Sequence, residues 1–239
     1  MSNRFFAETT IATDTYTLDG EQAHHLANVM RKSKGDEVTL FDGTGCEFRT
    51  QIDSISKRKV ELQVLERVEV SRELGFPLVV AVALPKGDRQ KFLVEKLVEL
   101  GVTELVPLST TRGVAESNDK VIFRLNRQVI EASKQCGRNK LMKIGTQLAV
   151  GELVSVFDAG EHHCYLADPY ADVSMSCRDG GNQTRIVAVG PEGGFTDEES
   201  QTIRDANWQP VSIGSTILRI ETAAIAAATL LGIGQQSAR

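Results

Sequence analysis

The sequence predicts an α/β protein in two parts, a small β-barrel domain over residues 1–75 and a mostly parallel α/β domain over residues 76–239. Up to residue 75, short segments alternate apolar and polar residues, the period of two that is typical of half-buried strands. From Leu78 onward, apolar runs alternate with segments of helical periodicity, which favours parallel strands covered by helices on both faces. The pattern changes near "SRELGFP", and we place the domain boundary there.

Three segments of the first part, "EVTLFDG", "CEFRTQIDSI" and "KVELQVLERVEV", are predicted strands. The residues "FDGTG" between the first two have the composition of a hairpin turn. Ahead of them, "DGEQAHHLANVMRKSKGD" predicts a short helix with Leu26, Val29 and Met30 on its apolar face and Gly35 at its end.

The second part begins with the strand "LVVAVAL" and the helix "DRQKFLVEKLVELG", capped by Asp88 and ended by Gly101. The strand "TELVPL", the basic helix "KVIFRLNRQVIEASKQCG" and the strands "CYLADP" and "RIVAVG" follow. A helix then begins at Thr196, which forms a capping-box pattern with Glu199. The strand "VSIG" and the alanine-rich helix "ETAAIAAATLLG" complete the predicted alternation.

The composition is that of an ordinary soluble globular protein, with 41% hydrophobic residues, 25% charged residues and a net charge of -5. The charge is unevenly distributed, because residues 120–143 carry seven Lys and Arg against Glu131 alone, whereas residues 150–209 are strongly acidic. The basic segment is either a surface that holds a polyanion locally or an ordinary solvated helix face.

The cysteines at 46, 136, 164 and 177 form no CxxC pair, which favours free thiols in a reducing cytoplasm. The segment "MSNRFFAETT" lacks the apolar stretch of a signal peptide. The run "AAIAAATLLGIG" is too short to span a bilayer. We therefore expect a cytoplasmic protein without a membrane partner.

Three loops follow predicted strands, where ligands bind in open α/β sheets: "LADPY" at 166–170, "GPEGGF" at 190–195 and "GSTILRIE" at 214–221. Gly193 and Gly194 would let the backbone lie close to a flat group such as an adenine. The last two loops either clamp one ligand together or are ordinary turns between strand and helix. The sequence has no GxGxxG and no P-loop motif, which disfavours a Rossmann dinucleotide site and a Walker site.

Other constellations carry weaker signals. The pairs His24–His25 and His162–His163 are adjacent residues, whose side chains do not converge on a metal, so we predict no metal site. The hydroxyl run at 109–111 has no neighbouring histidine for a hydrolytic triad. Arg112, directly after the strand "TELVPL", either points into a site or forms a surface ion pair.

Two of these stretches carry a family resemblance. "VAVGPEGGFTDEE" and "IGSTILRIETAAIAAATLLG" closely resemble the second and third signature motifs of the bacterial 16S ribosomal RNA uridine-N3 methyltransferases. That family belongs to the SPOUT class of trefoil-knotted enzymes, which use S-adenosylmethionine. Further similarity covers nearly the whole chain, through "HHLANVMR" at 24–31, "KGDRQKFLVEKLVELGV" at 86–102 and "EASKQCGRNK" at 131–140.

The resemblance implies a PUA-like RNA-binding barrel, followed by a SPOUT domain that binds S-adenosylmethionine, its cofactor, within a knot. It also implies a homodimer with 16S ribosomal RNA of the small subunit lying across both copies. The residues that it assigns to the cofactor site are Leu166, Gly190, Glu192, Gly193, Ile213, Gly214, Ile217, Leu218 and Arg219.

The implied reaction, methyl transfer to uracil N3, requires that the base be unpaired and lose its N3 proton. Arg112 and Arg219 are the candidates for stabilising the uracil anion. Glu192 is the candidate for accepting the proton, and Glu221 either shares that role or caps its helix. Five cations are expected to contact RNA: Arg31, Arg124, Arg127, Lys134 and Arg138.

The chain departs from the family pattern at three places. Ser215–Thr216 stands where relatives usually carry an arginine, so any contact that this arginine makes is lost or moved. Lys134 replaces a common acid, which raises the local positive charge. Met142 replaces a usual proline, which leaves the following turn less fixed.

Two alternative functions remain open from the sequence. A methyltransferase for another RNA base or for a ribose hydroxyl would use the same loops. A non-catalytic RNA-binding or ribosome-assembly factor would keep the fold, and it need not keep the cofactor pocket.

Overall fold

The chain forms two compact units. The first comprises Met1–Arg72 and Ile130–Leu141, and the second comprises Glu73–Val129 and Met142–Arg239. The domain limits predicted at residues 75 and 76 remain predictions. The sequence did not indicate that Ile130–Leu141 would belong to the first unit. The computed structural model describes residues 3–56, 58–115, 117–176 and 181–232.

The first unit is built on a five-stranded half-barrel sheet, in the order β1-β3-β4-β5-β2. β1 pairs with β3 in parallel, and the other pairings are antiparallel. The predicted small β-rich domain and its "FDGTG" hairpin between β3 and β4 are confirmed. The strands are β1 (Arg4–Phe6), β2 (Thr15–Asp19), β3 (Glu37–Phe41), β4 (Cys46–Ile55) and β5 (Lys59–Glu69).

The helical segment of this unit differs from the single predicted helix. Helix α1 spans Gly20–His24 and continues as a π-helical turn over His25–Val29. The Met30 amide donates to the carbonyl five residues earlier at 3.0 Å, and this wider turn rotates Val29 outward. Leu26 is fully buried and Met30 packs against the core, whereas Val29 is half exposed. The predicted apolar face is therefore wrong for Val29, and the helical segment ends before the predicted glycine.

A polar cluster around Glu47 holds the two parts of the first unit together. Arg4 donates to Glu47 Oε1 and to Asn139 Oδ1, each at 2.6 Å. Arg72 donates to the same Glu47 oxygen and, at 2.8 Å, to the Gly137 carbonyl. Since Asn139 and Gly137 come from the distant segment of the unit, the cluster fastens that segment to the sheet.

This cluster predicts how stability depends on pH. Burial alone would raise the pKa of Glu47, but hydrogen bonds from Arg72 and Arg4 outweigh it and hold the pKa below its usual value. Such a group adds stability above its unfolded pKa and loses it as pH falls through the folded pKa. We expect Glu47→Gln to lower the free energy of unfolding by about 2 kcal/mol at neutral pH.

The difference between Glu47→Gln and the wild type should shrink as pH falls below about 4.3, the ordinary glutamate value. Denaturant unfolding of both proteins at a series of pH values measures this difference. Glu61→Gln, which changes an exposed carboxylate of the same sheet, serves as the matched control. A difference that stays constant from neutral to acid pH would contradict the prediction.

The described part of the second unit contains a seven-stranded sheet, in the order β12-β10-β11-β6-β7-β8, with β9 paired to β7. Every pairing is parallel, so the predicted parallel sheet is confirmed. The strands are β6 (Leu78–Val82), β7 (Glu104–Ser109), β8 (Lys143–Ile144), β9 (Leu148–Ala149), β10 (His163–Ala167), β11 (Arg185–Val189) and β12 (Gln209–Val211).

The strand order brings the three predicted ligand loops together. β12, β10 and β11 are neighbours that run in the same direction, so their carboxyl ends lie at one edge of the sheet. Every residue of β6 and β11 is buried, as expected of strands covered on both faces. The predicted strand "VSIG" is replaced by β12, which begins two residues earlier.

The helices of the second unit mostly follow the predicted positions. α2 has Gly87 rather than Asp88 as its N-cap, and it ends at Glu99 with Leu100 as its C-cap. The predicted Gly101 follows directly, and its φ of +82° suits glycine. The short α4 and the two-residue strands escape sequence prediction, because such elements show no periodicity. No helix within the described ranges is long and apolar enough to span a bilayer. The helices are α2 (Asp88–Glu99), α3 (Asp119–Cys136), α4 (Val150–Val156), α5 (Asp197–Asp205) and α6 (Ile220–Gly232). The part of α3 from Ile130 onward belongs to the first unit.

Three of the four cysteines are described, and all three are free thiols, as predicted: Cys46, Cys136 and Cys164. The fourth, Cys177, lies outside the described residues. Burial raises the pKa of Cys164 to about 12. Its thiol therefore stays protonated and unreactive near neutral pH.

Candidate functional site

A cavity of about 580 Å³ opens at the carboxyl ends of β10, β11 and β12. Its volume falls in the range of small-molecule sites, about 300–1,000 Å³. The three predicted ligand loops supply much of its wall, together with Arg112 from the loop after β7. Eight of the residues that the resemblance assigns to the cofactor line the cavity: Leu166, Gly190, Glu192, Gly193, Ile213, Gly214, Ile217 and Leu218.

The loop at 190–195 is held in one shape by its own backbone and by close packing. Gly194 N donates to Pro191 O at 2.8 Å, closing a turn in which Gly194 has φ +69°, the region that favours glycine. At Gly190 the reason for glycine is space, because a Cβ there would lie 3.0 Å from the Phe195 ring. Glycine is therefore required at 194 by the backbone dihedral and at 190 by the close packing of Phe195.

Glu199 connects the helix after this loop to the loop after β7. The predicted capping box is confirmed, with Thr196 N donating to Glu199 Oε2 at 2.8 Å and Glu199 N donating to Thr196 Oγ1 at 3.1 Å. Thr111 also donates to Glu199, from N at 2.7 Å and from Oγ1 at 3.1 Å. Burial alone would raise the pKa of Glu199, but these hydrogen bonds outweigh it and lower the pKa. The ionised carboxylate thus fixes the residue next to Arg112.

Arg112 lies in the cavity wall, so of its two open interpretations the structure favours the first. Its Nη1 donates to the Gly193 carbonyl at 2.7 Å and to the Phe195 carbonyl at 3.3 Å. Within the described ranges it forms no ion pair, and Nε and Nη2 keep donors for a ligand. Arg112 therefore both fastens the second loop and offers positive charge to the cavity.

Arg219 is the ninth residue assigned by the resemblance, and it does not line the cavity. Its neighbours Leu218 and Ile220 both do. The Arg219 side chain is exposed, and its guanidinium makes no hydrogen bond or ion pair with any residue that the structure describes. The side chain is thus at the rim and available to a substrate.

The two candidate proton acceptors share one arginine. Arg89, in the first turn of α2, contacts Glu192 Oε1 from Nη2 at 3.1 Å and Glu221 Oε2 from Nη1 at 3.6 Å. The Glu192 side chain is 43% exposed and lines the cavity, whereas that of Glu221 is 9% exposed and does not. This placement leaves Glu192 as the candidate acceptor and favours the capping role of Glu221 at the start of α6.

The cavity wall contains one further ion pair and both apolar and charged groups. Asp168 Oδ2 accepts a hydrogen bond from Arg204 Nη2 at 2.8 Å, and both residues line the wall. Leu166 and Leu218 supply apolar surface for a flat ring, and the Glu192 carboxylate supplies negative charge for a cationic group. This combination fits S-adenosylmethionine, which joins an adenosine to a positively charged sulfonium.

The predicted RNA-binding residues of the second unit are both exposed. They are Arg124 and Arg127, on the basic helix α3. The Arg124 Nη2 atom donates to Gln90 Oε1 at 2.6 Å, which orients its guanidinium. Arg31, in the first unit, is also exposed and has φ +53°.

The two other predicted RNA-binding residues belong to the first unit and are less available. Lys134 pairs with Glu131 at 3.1 Å and lies 6.0 Å from the centre of the Phe5 ring. Arg138 is only 3% exposed. This burial argues against the predicted phosphate contact of Arg138, because a guanidinium inside the fold cannot reach an RNA backbone.

The histidine pairs and the hydroxyl run at 109–111 lie outside the cavity, because none of these residues lines it. Arg112, which follows the hydroxyl run, does line the cavity. Thr111 is already bonded to Glu199. In the ranges that the structure describes, no group of three or more His, Cys, Asp or Glu side chains is arranged to hold a metal ion.

Comparison with known families assigns both parts of the chain. Residues 72–232 match the RNA methyltransferase domain family. Residues 18–65 match the RNA methyltransferase PUA domain family. The match to the first family covers more than half of the chain.

Individual relatives agree with these matches. The chain is 34% identical over 213 residues to the ribosomal RNA small subunit methyltransferase E of Synechocystis sp., covering 87% of this chain and 70% of the relative. It is 28% identical over 223 residues to the protein of the same name from Bacillus subtilis, covering 87% and 86%.

A solved structure shares the whole architecture. The ribosomal RNA small subunit methyltransferase E of Neisseria gonorrhoeae, bound to S-adenosylmethionine, superposes with a TM-score of 0.87 at 28% identity, covering 95% of each chain. Fold and site together define the class of RNA methyltransferases that combine a PUA domain with a parallel α/β methyltransferase domain. The chain belongs to the ribosomal RNA small subunit methyltransferase E family. The predicted family resemblance is thereby confirmed.

Proposed function

We propose that this protein transfers the methyl group of S-adenosylmethionine to N3 of a uridine in the 16S ribosomal RNA of the small subunit. The observation that carries the proposal is the cavity, where three loops from separate parts of the sequence bring eight of the assigned residues together. A relative supports the proposal, because the ribosomal RNA small subunit methyltransferase E of Neisseria gonorrhoeae has a structure with S-adenosylmethionine bound.

Each of the three loops would contact the cofactor. Gly190, Gly193 and Gly214 line the cavity and can bring their backbone close to the adenosine, and Leu166 and Leu218 can cover its ring. When bound, S-adenosylmethionine supplies a methyl group activated by a sulfonium. The Glu192 carboxylate would lie near that positive charge.

The uracil side of the site needs a base turned out of the RNA stack, because pairing covers N3. The N3–H proton has to leave, and Glu192 is the acceptor that lines the cavity. Negative charge then spreads over the uracil oxygens. Arg112 in the wall and Arg219 at the rim would stabilise it, as fixed donors do in other active sites.

Mass spectrometry of 16S ribosomal RNA nucleosides from cells with and without the protein tests the proposal. We expect 3-methyluridine only when the protein is present. A methylated ribose or a different methylated base would contradict uridine N3 and identify another RNA methyltransferase. Unchanged RNA, together with no binding of S-adenosylmethionine in calorimetry, would point to a non-catalytic RNA-binding factor.

The basic helix α3 is the proposed RNA-contact surface of the second unit, with Arg124 and Arg127 as phosphate ligands. Each phosphate contact contributes about 0.7–0.9 to the slope of log affinity against log salt. The double variant Arg124→Gln/Arg127→Gln should therefore flatten that slope by about 1.4–1.8, while its affinity for S-adenosylmethionine stays unchanged. Fluorescence anisotropy with 16S ribosomal RNA over a salt series measures the slope.

Lys96→Gln is the control for this experiment, because Lys96 is already paired with Glu95 and Glu99 on α2. Its slope should match that of the wild type. If the α3 double variant also keeps the wild-type slope, the proposed phosphate contacts are absent.

Two further parts of the proposal concern assembly and location. The family resemblance favours a homodimer, and light scattering of the purified protein decides between one and two copies. A ribosomal RNA substrate favours the cytoplasm, where ribosomes are assembled. Cell fractionation followed by immunodetection tests that location.

A further inference from the structure

Two side chains of the cavity wall are unusually exposed for apolar groups. Tyr170 is 82% exposed and Ile217 is 73% exposed. These are the two highest values among the exposed large hydrophobic residues within the described ranges. Both belong to the same cavity, from two different loops. Because both side chains face a cavity, a bound ligand could cover them.

The backbone that carries Tyr170 is held in a turn around Asp168. Tyr170 N donates to Asp168 Oδ1 at 2.9 Å, and Ala171 N donates to the Asp168 carbonyl at 3.1 Å. The other Asp168 oxygen is bonded to Arg204. Since three hydrogen bonds to Asp168 fix the turn, its backbone loses little further freedom when a ligand contacts the exposed ring.

The loops that carry Tyr170 and Ile217 are tied to each other. Ser212 N donates to Val173 O at 2.8 Å, and Met175 N donates to Ser212 O at 2.7 Å. These bonds form a short parallel bridge between the segment after Tyr170 and the end of β12, from which the loop with Ile217 continues. The backbone segments that lead to these two side chains are therefore joined, and both side chains line the same cavity.

On the basis of the proposed function, we infer that the Tyr170 ring is a stacking platform for an unpaired base of the RNA substrate, in the same cavity wall as Ile217, which the resemblance assigns to the cofactor. An aromatic ring suits the flat face of a nucleobase, and stacking on such a ring is a general means of holding single-stranded RNA. Under the proposed function, the glycine loops would hold the adenine of the cofactor. Side chains as exposed as these are covered by a ligand that extends out of the cavity, as an RNA strand does.

The test compares Tyr170→Ala, Tyr170→Phe and wild type in methyl transfer to bacterial small ribosomal subunits that lack the modification, with radiolabelled S-adenosylmethionine. Loss of one stacked base predicts a rise in the KM for the subunits of about 5- to 150-fold for Tyr170→Ala. Tyr170→Phe keeps the ring and should stay within about twofold of wild type, and Ile217→Ala should show a smaller rise than Tyr170→Ala.

Calorimetry with S-adenosylmethionine alone separates the two possible ligands of the ring, and we expect Tyr170→Ala to bind it as tightly as wild type. Phe92→Ala is the matched control, since Phe92 is a half-exposed aromatic residue on α2 outside the cavity wall. It should leave both measurements unchanged.

Three results would overturn the inference while the proposed function stands. An unchanged KM for Tyr170→Ala would show that no base stacks there. An equal loss of cofactor affinity would assign the ring to the cofactor, and a defect in Tyr170→Phe as large as in Tyr170→Ala would assign the effect to the hydroxyl. Failure of the proposed function is a different outcome, because then the wild type itself would methylate no subunits.

Discussion

Replacing Arg219 by alanine is expected to lower the turnover number about 100- to 1,000-fold, the loss that follows removal of one fixed donor to a developing anion. The expectation rests on its position, between two residues of the cavity wall and with an exposed guanidinium that no described residue engages. Because the side chain is exposed, the melting temperature should stay the same, since surface substitutions change stability by less than about 0.5 kcal/mol. Turnover is measured under saturating cofactor and subunits.

Arg219→Lys separates charge from shape in this experiment. Lysine keeps the positive charge but loses the planar fork of donors, so we expect partial recovery of turnover. The affinity for S-adenosylmethionine, measured by calorimetry, controls for an indirect effect on the cofactor loop. Turnover of Arg219→Ala equal to that of wild type would remove this residue from the mechanism and leave Arg112 as the cation of the site.

The position of the site could be predicted from the sequence because its parts are local. Each ligand loop follows an apolar run of strand length, and carboxyl ends of parallel strands meet at one edge. The capping box from Thr196 to Glu199 is likewise a pattern of four residues, and the structure reproduces both of its hydrogen bonds. Such features can be predicted from the sequence, because the residues that interact are neighbours along the chain.

The parts that could not be predicted depend on distant contacts. Arg89 and Glu192 are 103 positions apart, and neither stands in a pattern that points to the other. The burial of Arg138 follows from the membership of its segment in the first unit, where Asn139 contacts Arg4 from 135 positions away. A basic segment of the sequence shows how many positive charges are present, but it does not show which of these side chains are buried in the folded protein.

Replacing Arg89 by alanine is expected to lower the free energy of unfolding by about 3 kcal/mol, because it leaves the Glu221 carboxylate without its cation in a nearly closed environment. The Glu221 side chain is 9% exposed, and its Oε2 atom has no hydrogen-bond partner within the described residues. Glu192→Gln breaks the other, more exposed pair of the same arginine and should cost less than about 1 kcal/mol. Denaturant unfolding at neutral pH compares the variants.

The double variant Arg89→Ala/Glu221→Gln distinguishes a structural role of Arg89 from a role in the site. A neutral amide at 221 removes the uncompensated charge, so most of the lost stability should return. The Glu192 carboxylate still lacks its partner in the double variant, so if Arg89 positions that carboxylate, turnover stays low in a protein that is again stable. Recovery of both stability and turnover would mean that Arg89 acts through Glu221 alone. A double variant as unstable as Arg89→Ala would instead show that the buried charge is not what the arginine compensates.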